Sequence, residues 1–257
     1  MRRLVCRGYA ADWLVPLLTG LPLLVMLQGL DLDRRVSGLF YDPAGMRFPW
    51  KDHWVLKTLL HDGIKQLSVI FAIAVMLLAC VSHLYPRYRK YRRLLLTLLG
   101  SMLLSAGLVA AIKSVSVPAC PHALLIFGGT LPRIGIFDAL PAQYVAGHCW
   151  PGGNASSAFC LFGFYFAFHA RGFPSAARIS LAAVMLAGLL LSAVQVMRGM
   201  HFLSHEVWTA LICWYVSLLM FRVSGLHAVP AQGPSHVLPQ QRGRVVGATS
   251  QGGDHRR

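Results

Sequence analysis

Residues 94–112 read LLLTLLGSMLLSAGLVAAI, and Lys113 follows at once. An uncharged run of that length is enough to cross a hydrocarbon layer, which needs about 20 apolar residues at a helical rise of ~1.5 Å each. The pattern recurs on both sides. Trp13–Leu30 and Leu67–His83 precede it, and Ala155–Ala170, Ile179–Met197 and Val207–Phe221 follow. The reading is an all-α, polytopic membrane protein with six transmembrane helices. Composition agrees: 56% of the 257 residues are hydrophobic and 13% charged, too little charge to cover a soluble domain.

The net charge of +15 raises the question of nucleic acid. No polar basic face interleaved with aromatics is present, and the cations sit instead at the ends of the apolar runs, so nucleic acid is excluded as a partner. With both termini cytoplasmic, six spans place 15 Lys/Arg and 2 acids inside (net +13) and 9 Lys/Arg against 7 acids outside (net +2). That asymmetry is the positive-inside pattern and sets the expected orientation. The first span ends in Asp31-Leu-Asp33 with no small-residue cleavage site, so it is expected to be a retained anchor.

Residues 1–222 form the expected membrane domain. Residues 223–257 are rich in Gly, Pro, Gln, Ser and Arg and read as a disordered basic cytoplasmic tail. Between the first two spans, Asp42-Pro43-Ala-Gly45 marks a turn. Trp50, Trp54, Leu56, Leu59 and Leu60 then alternate with Lys51, Asp52, Lys57 and His61, the pattern of a helix at the membrane surface or of one capping the bundle. The short loop Pro86–Arg93 carries five cations and reads as a topogenic anchor on lipid headgroups.

Three polar blocks interrupt the apolar pattern, all on the expected outer face: Lys113–His122, Gly147–Ser157 and Arg198–Glu206. Ionisable residues converging beside spans from three helix ends point to a functional site. Phosphoryl chemistry suits them. Lys113 and Arg198 can neutralise a phosphate, the arginine through a planar fork. Pro151-Gly152-Gly153 opens a span and can offer backbone N–H groups to an anion. His201, one turn from Arg198, is a nitrogen nucleophile, and His205 stands one turn further on. His148 in the middle block is a possible accessory acid or a plain loop histidine. His201 and His205 also have the i, i+4 spacing of a helical metal site, with His148 or His122 as a third ligand, but the neighbouring Lys113 and Arg198 disfavour a cation.

These blocks resemble the three motifs of the type 2 phosphatidic acid phosphatase and vanadium haloperoxidase superfamily, in its bacterial membrane-bound branch. The resemblance covers a motif core of residues 94–221. Lys113 and Pro121 keep the spacing of the first motif, with Cys120 where the family has arginine. Pro151-Gly152-Gly153-Asn154 stands for Pro-Ser-Gly-His. His201 and His205 match the histidine and aspartate of the third motif, with Arg198 closer to the histidine than usual.

The resemblance implies an integral-membrane phosphatase or phosphotransferase of the inner membrane, acting at the outer face on a lipid phosphate or diphosphate. His201 would form a phosphohistidine and His205 would orient it. Lys113, Arg198, Gly152 and Gly153 would hold the phosphate, with no metal and no cofactor. Asn154 occupies the general-acid position, and asparagine cannot give up a proton; the alternative is an impaired member that binds lipid phosphate without turnover. Cys120 and Cys149 lie on the outer side, where they can pair in an oxidising compartment or remain two packed loop cysteines.

Overall fold

In the computed structural model the described residues are 2–136, 138 and 144–226, with side chains described except at 2–9 and 59–61. Most of the expected tail, 227–257, lies outside them.

Five helices are long and apolar enough to cross a membrane: Ala10–Gly29, Val55–Leu84, Pro86–Val115, Pro174–Met197 and Leu203–Val223. A shorter apolar helix, Ser156–Ala170, takes the fourth place in chain order, and among the described residues there is no named strand. The six are called the first to sixth spans below. Each expected run lies in one of them, and the ends move by a few residues because flanking polar residues continue the helix.

The loop between the first two spans differs from expectation. A short helix, Leu32–Gly38, follows the first span, and the turn at residues 43–46 is closed by a bridge between Asp42 and Arg47. The surface helix expected over 50–61 is not a separate element: helix starts at Val55 in wide π turns and runs on into Gly63–Leu84. No helix-breaking proline stands between Val55 and Leu84, and helix runs on through Asp62-Gly63.

Val15, Leu18, Val25, Ile70, Leu77, Ile179 and Leu186 are exposed, while Ser101, Ser105, Thr209, Gln195 and Ser217 are buried. This distribution belongs to a protein solvated by lipid, where apolar side chains cost nothing outside. Two buried serines return their hydroxyls to their own helix: Ser101 donates to the Leu98 carbonyl (2.8 Å) and Ser192 to that of Gly188 (2.7 Å). Small residues let spans approach. A Cβ at Gly163 would meet Ser101, and one at Gly188 would meet the ring of Phe159.

Phe162, Phe166 and Phe221 pack with Trp214 at the centre of the bundle, the Phe162 and Phe166 rings lying 5.2 and 5.0 Å from the indole. The first span is pinned to the sixth by polar tips. Trp214 Nε1 donates to the Asp12 carbonyl (2.8 Å) and the Tyr215 hydroxyl to that of Trp13 (2.7 Å).

A second layer covers the end of the bundle where the first, third and fifth spans finish. Phe48, Ala119, Leu124, Phe127 and Phe202 form its own apolar cluster, with Tyr41 against Phe48 and Phe127 at ring distances of 5.4 and 5.3 Å. This layer brings the three polar blocks together.

Candidate active site

The first two blocks run side by side. The Gly147 N–H donates to the Val117 carbonyl (3.0 Å) and the Cys149 N–H to that of Pro118 (2.9 Å). A Cβ at Gly147 would collide with the backbone of Ala119, so only glycine permits this approach. Cys120 and Cys149 are joined by a disulfide, with Cα atoms 5.2 Å apart. The third block is tied to the same layer by His122, whose N–H (3.0 Å) and Nδ1 (3.1 Å) both reach the Gly199 carbonyl. Burial lowers the His122 pKa, opposed by that bond, so its ring is neutral near pH 7 and donates from Nδ1. Gly199 has φ +65° and lies against the Phe48 ring, a position that again excludes a side chain.

His201 is buried, and its Nδ1 lies 2.9 Å from the Cys149 carbonyl. A carbonyl only accepts, so Nδ1 carries the proton and the ring lone pair is on Nε2. That is the tautomer a nitrogen nucleophile requires. The orienting group is therefore a backbone carbonyl on the middle block, held in register by the Cys149–Pro118 bond and the disulfide. His205 was expected to orient His201. Its ring centroid is 6.0 Å from that of His201, and its Nδ1 has no hydrogen-bond partner among the described residues.

The other half of the site lies at the start of the sixth span. The Gly152 N–H donates to the His205 carbonyl (3.2 Å), and the Thr209 hydroxyl donates to the carbonyls of Gly152 (3.1 Å) and His205 (2.9 Å). The Gly152 N–H, expected to face phosphate, is thus already used. Gly153 is different: no backbone carbonyl among the described residues accepts its N–H. A Cβ added there would sit 3.4 Å from Lys113 Nζ. Lys113 and Gly153 together make a small cationic cradle beside the two histidines.

Arg198 is buried and turned towards the loop before the second span. Its Nε donates to the Lys51 carbonyl (2.8 Å), and Asp52 and Asp62 act on its charge. Burial pulls its pKa below the usual arginine value, which leaves it charged at any working pH. Asn154 is half-buried at the entrance to the fourth span, and His148 is exposed with φ +48°. Cys149, His201 and His205 bring possible ligand atoms within 4.8 Å of one another, but the Cys149 sulfur is bonded to Cys120, leaving two imidazoles.

Four participants are not assigned by sequence reasoning. Asp33, from the short helix after the first span, accepts the Ser204 N–H (2.9 Å) and so caps the sixth span from another segment. Burial raises its pKa, opposed by that bond. Arg133 pairs with Asp31 and lies 5.3 Å over the Phe202 ring. It lines a cavity of about 300 Å³ with Asp33, Ser204 and His205. Gln195 is fully buried and its backbone carbonyl receives the Met200 (2.9 Å) and His201 (3.4 Å) N–H groups. Glu206 is buried against Gly152. Asp33 and Glu206 stood in the sequence as acids beside apolar runs, the one available signal for them; the other two had none.

A bundle of apolar spans thus gathers a cation, a glycine turn and two histidines at one end. The family model of the PAP2 superfamily matches residues 94–227, more than half of the chain, and the protein belongs to that superfamily. Comparison with curated proteins and with solved structures gave no match.

Proposed function

We propose that this protein is a membrane phosphatase or phosphotransferase that attacks a lipid phosphate or diphosphate with Nε2 of His201, forming a phosphohistidine that water then hydrolyses. The observation that carries the reading is the Cys149 carbonyl on Nδ1 of His201, which fixes the nucleophilic tautomer beside Lys113 and Gly153. Lys113 and the Gly153 N–H hold the phosphate. The lipid part of the reading draws on a groove of about 520 Å³ between the first and fifth spans. Leu23, Met185, Leu189 and Leu211 are among its apolar walls, and Glu206 stands on its lining. A hydrocarbon chain in that groove brings its headgroup to the site.

The charge asymmetry supports both termini in the cytoplasm with the site facing outwards, and the family resemblance implies the inner membrane of a bacterium. A disulfide between Cys120 and Cys149 suits that compartment.

Asn154 favours a second reading. Standing where the family has its general acid, it cannot protonate a leaving oxygen, and a member without that acid can bind lipid phosphate without turning it over. The two are separated by offering the purified protein lipid monophosphate and diphosphate, beside His201→Ala and Asn154→His variants. Phosphate release by the wild type that disappears in His201→Ala is the expected result. An inert wild type with an active Asn154→His variant would establish the binding reading.

A further inference from the structure

Glu206 is almost completely buried, and neither carboxyl oxygen has a hydrogen-bond partner among the described residues. Such groups are rare, because a buried polar atom without a partner forfeits its hydration for nothing. They recur where a group exchanges protons or awaits a ligand. The surroundings of Glu206 are specific. Its carboxyl fills the space where any side chain at residue 152 would begin, so Gly152 and Glu206 are two halves of one arrangement. The positive charge of Lys113 acts on it from the third span, and His205 precedes it on the same helical turn. Asp12 and Tyr165, the other titratable groups of the apolar groove, line it with the first and fourth spans. Glu206 therefore stands where the groove meets the Lys113–Gly153 cradle.

In a lipid phosphate the bridging oxygen lies between phosphorus and chain. A phosphate on Lys113 and Gly153 with its chain in the groove carries that oxygen past Glu206. We infer that the Glu206 carboxyl is the general acid of this site, supplying the proton that Asn154 cannot. This rests on the proposed phosphotransfer reading and adds a residue to it.

The step balances. The His201 Nε2–phosphorus bond forms as the phosphorus–oxygen bond to the lipid breaks, and the departing oxygen takes the Glu206 proton. Water then attacks phosphorus, the nitrogen–phosphorus bond breaks, and the proton of that water returns to Glu206 as orthophosphate leaves.

The test compares wild type and Glu206→Gln, in lipid nanodiscs, on a lipid monophosphate and on the corresponding diphosphate. The alkoxide leaving from a monophosphate needs a proton, whereas the phosphate leaving from a diphosphate does not. Loss of a positioned acid costs about 10²–10⁴-fold in kcat. That loss is expected on the monophosphate, and less than about tenfold on the diphosphate. Equal losses on both substrates, or none, would overturn the inference. If Glu206→Gln does not fold, Glu206→Asp, which withdraws the acid by one methylene, is expected to show the same split, and an even loss would again overturn it. Should the wild type hydrolyse neither lipid, the enzymatic reading fails separately. Glu206 is then judged by calorimetry of orthophosphate binding in buffers of different ionisation enthalpy. Proton exchange on binding that is lost in Glu206→Gln upholds it as the proton-handling group at the anion, and identical proton counts in the two proteins refute it.

Discussion

The two sides of the site are built by different means. On the nucleophile side, His201 is held by a backbone carbonyl, and that carbonyl is fixed by a ladder bond, a disulfide and a glycine contact. On the leaving-group side, side chains dominate: Gly152 and Asn154 stand where the family resemblance expects a serine and a histidine, and Glu206 fills the space beside Gly152. The acceptor on His201 is a main-chain atom, insulated from side-chain changes in the middle block other than at Gly147 and the disulfide cysteines. The side-chain half has no such insulation, so a substitution there requires a compensating one.

The largest effect that tests this contrast is on the nucleophile. His201→Ala is expected to lower kcat by several orders of magnitude with binding of orthophosphate retained, because the cradle of Lys113 and Gly153 is untouched. Equal loss of binding and turnover would mean that His201 holds the anion rather than attacks it. Next in size is the scaffold behind it. Replacing Cys120 and Cys149 by serine frees the middle block, and a carbonyl displaced by an ångström can cost about 10²-fold in rate. The expected result is a fall in kcat with little change in KM; an unchanged kcat would show that the ladder bonds alone keep His201 oriented.

The leaving-group side is sharpened by a double-mutant cycle. Gly152→Ser drives a side chain into the Glu206 carboxyl, and overpacking of this kind costs about 1–3 kcal/mol. Adding Glu206→Ala opens that space and should recover most of the loss in thermal unfolding, whereas additive losses would mean that the two residues do not share it. The smallest effect concerns the cap. Asp33→Ala removes the acceptor for the Ser204 N–H and should cost about 1 kcal/mol. Because burial raises the folded pKa of Asp33, its carboxylate burdens the folded state at neutral pH and that burden lifts as pH falls through the raised value. Asp33→Asn keeps the acceptor and removes the burden, so it should be more stable than wild type at neutral pH and respond less to acid.

What could be read from the sequence follows the same division. The spans were legible because a bilayer demands long uncharged runs, and LLLTLLGSMLLSAGLVAAI can satisfy nothing else. The end of the bundle carrying the site was also legible, from polar blocks at Lys113, Gly152-Gly153 and His201. The partner of His201 was not, since a carbonyl belongs to every residue and only tertiary contact selects the one at Cys149. Arg198 reads as a phosphate ligand from its spacing, yet it reaches towards Lys51, because helix ends at Met197 and the chain turns at Gly199. The wide-turned helix at Val55–Asp62 escaped because its amphipathic pattern suits a surface helix equally well. Glu206 was visible as an acid beside a span, but its contact with Gly152 joins positions far apart in the chain.

The central claim is that His201 takes the phosphoryl group, and trapping that intermediate tests it most directly. The protein is mixed with a lipid phosphate labelled at phosphorus, quenched in base, where phosphohistidine survives, and mapped by mass spectrometry. The account predicts one phosphorylated residue, His201, with the label absent from His201→Ala. Turnover that persists in His201→Ala, or a label on His205 or His148 instead, would contradict it.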